Sequence, residues 1–72
     1  MRRIVAANRV VLPDGGILCP GVVELDGCRV VRTDKLFDEQ PFTEWLGGII
    51  VVRDESCGVV RAYKDGRMLE AS

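Results

Sequence analysis

Apolar residues along this chain come in short runs, separated by turns built on Asp-Gly. The first run predicts a strand from about Arg3 to Leu12. Val5, Val10 and Val11 favour extended backbone there, because branching at Cβ restricts the side chain in a helix. Pro13-Asp14-Gly15-Gly16 ends it in a tight turn, with proline fixing φ and glycine accepting positive φ. A second strand is expected from Ile17 to Leu25. Pro20-Gly21 interrupts it as a bulge or an edge position, since proline lacks the N–H that a ladder needs. Asp26-Gly27 reads as a two-residue hairpin turn leading into a third strand, Cys28 to Thr33.

With that loop, Leu25 opposes Cys28, Glu24 opposes Arg29, Val23 opposes Val30, and Val22 opposes Val31. Leu25, Val23, Cys28 and Val30 then share the expected core face. Glu24 and Arg29 form a cross-strand ion pair on the other face. Val22 and Val31 also lie on that other face, so either a further layer covers it or it is a contact surface.

Residues 34–47 break the alternation. Asp38-Glu39-Gln40-Pro41 reads as loop. Thr43 is placed to cap one short helical turn through Leu46, stopped by Gly47-Gly48. The segment holds Phe37, Phe42 and Trp45. These aromatics either fold over an open end of the sandwich, the preferred reading, or form a ligand or partner contact together with Val22 and Val31. Ile49 to Arg53 is a continuous apolar run and reads as a buried strand. Asp54-Glu55-Ser56 turns the chain. A strand beginning at Cys57 or Val59 runs to Lys64, and Asp65-Gly66 opens a last hairpin to Glu70. Ala71-Ser72 is expected to fray.

The pattern predicts a single all-β domain, a small β-sandwich or partly closed barrel of about six strands, spanning residues 1–72. A core of this size supplies only ~3–5 kcal/mol without a staple or partner, so association is a natural expectation. Ten basic and eleven acidic residues leave a net charge of −1, which argues against a general field for nucleic acid. Arg2, Arg3, Arg9, Arg29 and Arg32 are expected to form a solvated, ion-paired face rather than an RNA-binding one.

The three cysteines, Cys19, Cys28 and Cys57, show no CxxC spacing and are expected to be buried thiols. Asp54-Glu55 and Asp38-Glu39 fall in expected turns or loops, where solvated acids are normal. No metal or other cofactor is implied. No apolar run approaches membrane-spanning length, and a cytoplasmic setting is the default expectation.

Two stretches carry a family resemblance. Ile4 to Val31, with Leu12-Pro13-Asp14-Gly15 and Asp26-Gly27-Cys28-Arg29-Val30-Val31, resembles the N-terminal strands of metal-dependent amidohydrolases. Ile49 to Asp54 and Val59 to Leu69 are similar to that family's C-terminal strands. In the family both ends build a small composite β-sandwich beside a catalytic barrel. The family's metal site begins with a His-X-His pair, and this chain has no histidine. The resemblance therefore implies the sandwich fold without the family's metal chemistry. The expected role is a non-catalytic structural or protein-interaction module, self-associating or docking on a partner. The alternative is a small ligand-binding or hydrolase-related accessory domain using the aromatic segment.

Overall fold

The computed structural model describes residues 2–36, 42–55 and 58–71. They form β1 (Arg2–Ala7), β2 (Arg9–Val11), β3 (Ile17–Leu18), β4 (Gly21–Asp26), β5 (Arg29–Lys35), β6 (Thr43–Trp45), β7 (Ile49–Asp54), β8 (Val60–Lys64) and β9 (Arg67–Met68). One sheet has the order β5-β4-β1-β6 and the other β3-β2-β7-β8-β9. The fold is an open all-β sandwich and does not close into a barrel.

The first two expected strands are each divided between the sheets. Asn8 separates β1 from β2, and Cys19-Pro20, joined by a cis peptide bond, separates β3 from β4. The same happens at Leu46–Gly48, between β6 and β7. The chain thus turns three corners side by side, a device that lets one ribbon serve two packed layers. Along them β1 runs parallel to β6, and β2 parallel to β7.

The corners hold each other through the backbone and one side chain. The Leu46 N–H donates to the Ala6 carbonyl at 2.8 Å, and the Arg9 N–H to the Gly48 carbonyl at 3.2 Å. Asn8 Oδ1 accepts from the Gly48 N–H at 2.8 Å. Gly47 and Gly48 sit at φ 72° and 67°, where a side chain would be strained.

The expected helical turn at Thr43–Leu46 is instead strand β6, paired Ile4↔Thr43, Val5↔Glu44 and Ala6↔Trp45. Pairing with a distant strand overrides the local capping signal. The β4–β5 hairpin also differs from expectation. Its turn residues are Gly27 and Cys28, because Asp26 pairs with Arg29 and Leu25 with Val30. Val31 is then the extra residue of a bulge, beyond which Glu24 pairs with Arg32, Val23 with Thr33 and Val22 with Asp34. Val22 and Val31 are therefore not cross-strand partners.

Between the sheets Val5, Ala7, Val10, Val23, Leu25, Ile50, Val52 and Ala62 make the buried core. The chain end does not fray at Ala71. Its N–H donates to the Gly27 carbonyl at 2.6 Å, and its side chain is buried. Arg3 Nη1 donates to the Glu70 carbonyl at 3.0 Å. Segment 69–71 therefore crosses from the five-stranded sheet to the four-stranded one and covers one end of the core.

Candidate functional site: the two outer sheet faces

The aromatic segment does not behave as a plug where it is described. Phe42 is 94% exposed, at φ 62°, and Trp45 is 57% exposed on the edge strand β6. Phe37 lies outside the described residues. Val22 is fully covered within the chain, whereas Val31 is exposed on its bulge. Of the five residues singled out from the sequence, Trp45 and Val22 come together: both neighbour Ala6 on the outer face of the four-stranded sheet. Val31 lies apart, at the far edge. On β6 the Thr43 hydroxyl, at the residue paired with Ile4, is buried without a hydrogen-bond partner among the described residues.

The rest of this face is ion-paired. Glu24 accepts from Arg2 on β1 and, at 3.4 Å, from Arg32 on β5. Arg3 reaches Glu44 at 2.6 Å at the rim of the core. The expected Glu24–Arg29 pair is replaced by these contacts, because the hairpin pairs two residues further along and then bulges. Arg2, followed by Arg32, holds the Glu24 carboxyl below its ordinary range, against an opposing contribution from burial.

A folded-state pKa below the unfolded one stabilises the fold above the unfolded pKa and is lost as pH falls through the folded one. Glu24→Gln is therefore expected to lower the urea midpoint at pH 7. The gap to the unmodified protein should narrow as pH falls below the ordinary carboxylate range and the carboxyl protonates in both states. A gap independent of pH would show that the pair contributes nothing through charge.

The outer face of the five-stranded sheet is different. Val10, Ile50, Val52 and Ala62 point inward, so their neighbours in the strands point out. Ile17 pairs with Val11, Val11 with Val51, Val51 with Tyr63, and Tyr63 with Met68. These five side chains form an unbroken row across all five strands, about 19 Å long at ordinary strand spacing. Ile17 is 58% exposed, and Ile49, which flanks the row, is 49% exposed. An open depression of about 370 Å³ lies here, lined by Ile49, Val51, Arg53, Tyr63, Asp65 and Gly66.

Arg53 and Arg61 stand directly opposite each other beside the row. Arg53 lies over the Tyr63 ring, 5.4 Å from its centroid. Arg61 Nη1 approaches Met68 Sδ at 3.2 Å. Among the described residues neither arginine forms a salt bridge with a carboxylate. Tyr63 donates its hydroxyl to Glu55, which raises the phenol pKa.

This row escaped the sequence reading, although its signal was visible. The continuous apolar run Ile49 to Arg53 reads in sequence as a buried strand. Only Ile50 and Val52 are buried, so the outward pair is an apolar surface rather than core.

The cysteines are also less buried than expected. Cys19 is exposed and Cys28 half-buried, both as free thiols, and Cys57 lies outside the described residues. Cys28 is itself a turn residue, and Cys19 sits at the corner between β3 and β4. Asp38-Glu39 likewise falls outside the described residues, while Glu55 is engaged by Tyr63. Among the described residues no group of three or more His, Cys, Asp or Glu side chains could hold a metal ion. No helix there is long and apolar enough to cross a membrane. Compared with protein-family models, curated proteins and solved structures, the chain matches none.

Proposed function

We propose that this chain is a non-catalytic β-sandwich acting as a protein-interaction module, docked through the outer face of its five-stranded sheet. The observation carrying this reading is the row Ile17–Val11–Val51–Tyr63–Met68. A strand with apolar residues on both faces belongs in a sheet covered on both sides. Here, among the described residues, one side forms the core while the other is only partly covered. A contiguous apolar strip rimmed by charged residues is the usual character of a contact surface.

A relation to the composite domain of metal-dependent hydrolases remains part of this proposal. It draws support from the way early strands β1 and β2 pair with the later β6 and β7. That domain's catalytic partner has no counterpart in these residues, so the sandwich is read as scaffold and contact surface.

A photo-activatable side chain placed at Val51, in cells that make the protein, tests the reading. Discrete adducts that are absent when the same group replaces Val31 are expected. No adduct at Val51, or the same products from both positions, would refute it.

A further inference from the structure

Resting on the docking face just described, we infer that its occupant is an acidic protein segment whose carboxylates sit between Arg53 and Arg61 while its apolar side chains cover the row. Like charges placed directly opposite on adjacent strands destabilise a sheet. Arg53 and Arg61 are such a pair, and among the described residues neither forms a salt bridge that would offset the repulsion. On the four-stranded sheet, by contrast, Arg2 and Arg32 share Glu24, and Arg3 holds Glu44.

The two guanidiniums are anchored to the row, one over Tyr63 and one at Met68. Anchored side chains lose less freedom when a partner binds. Guanidinium is also the group best suited to bidentate carboxylate recognition. Arg9, paired with Ile49 on the opposite flank of the row, adds a third positive group.

The charges weigh against a second copy of the chain seated so that its own Arg53 and Arg61 meet this pair. Nucleic acid is disfavoured by the chemistry of the row. It offers one aromatic ring, already covered by Arg53. Single strands need several open stacking surfaces.

Fluorescence anisotropy with three labelled probes tests the inference: an alternating Leu-Glu octapeptide, the matching Leu-Lys octapeptide, and an oligo-dT octamer. The Leu-Glu peptide is expected to bind at least tenfold more tightly than either of the others, and less tightly as salt rises. Arg53→Ala with Arg61→Ala should weaken it at least tenfold while leaving the circular dichroism spectrum unchanged. If that double variant unfolds, Arg61→Glu alone serves, and should shift the preference toward the Leu-Lys peptide.

Equal binding of the two peptides would overturn the acidic assignment and leave apolar docking intact. Tighter binding of oligo-dT would replace it with nucleic acid. Failure of all three probes to bind would refute the inference. If the Val51 cross-link also failed, the docking reading itself would fall.

Discussion

Gly21→Ala is expected to remove most of the protein's stability. A methyl group at this position would stand 2.7 Å from Val10 Cγ2, 2.8 Å from Leu18 Cβ and 2.9 Å from Val10 Cβ. Real Cβ contacts essentially never come that close, so something must move. Two of the three atoms are Cβ atoms fixed to strand backbone, and the third belongs to a β-branched side chain with little rotamer freedom. Neither neighbour has a flexible end that could swing away. The site lies where β4 leaves the corner and packs across β2, so a backbone shift would disturb both sheets.

Overpacking costs ~1–3 kcal/mol, occasionally more, and this position belongs at the upper end. Against a domain holding only ~3–5 kcal/mol, the folded fraction should fall steeply. Urea titration followed by circular dichroism measures it. A midpoint within about 0.5 M of the unmodified protein would mean that the corner has slack, since urea slopes for small domains are ~1 kcal/mol/M or more.

Leu25→Ala is the second large effect, by the opposite cause. Leu25 heads the fully buried side chains by volume and has no exposed surface. It pairs with Val30 and lies in the cluster with Val5, Val23 and Ile50. Truncation removes its transfer free energy and leaves a cavity, together ~2–5 kcal/mol. The thermal midpoint should fall by at least about 8 °C, given ~4–8 °C per kcal/mol for domains of this size. Val31→Ala, on the exposed bulge of the same hairpin, should shift it by only ~2–3 °C, in keeping with small surface effects. Equal shifts at the two positions would contradict the core assignment.

These two positions show what could be read from residue order and what could not. The inward facing of Val23, Leu25 and Val30 was legible, although their partners were not. The observed hairpin pairs two residues further along than expected near the turn, and a slip of two leaves every side chain on its own face. Asp65-Gly66 was legible because two-residue turns are local chemistry: both residues take positive φ, at 53° and 78°.

The corners were not legible in this way. The role of Asn8 depends on a glycine N–H far away in sequence, and that of Gly21 on the side chain of Val10. Thr43 carries a helix-capping signature that parallel pairing with β1 overrides. The candidate docking face was half visible. A run such as Ile49–Val52 announces two apolar faces, but only the tertiary arrangement tells which of them the chain leaves bare.

The parallel pairing of β1 with β6 and of β2 with β7 also shapes the folding route. Antiparallel neighbours such as β4 and β5 can close as hairpins within microseconds. The parallel pairs join residues roughly forty positions apart, so no hairpin can form them. The early ribbon must stay partly unzipped until the later one arrives, and that long closure sets the pace of collapse. The transition state is therefore expected where the three corners meet, around Asn8, Gly21 and Gly48.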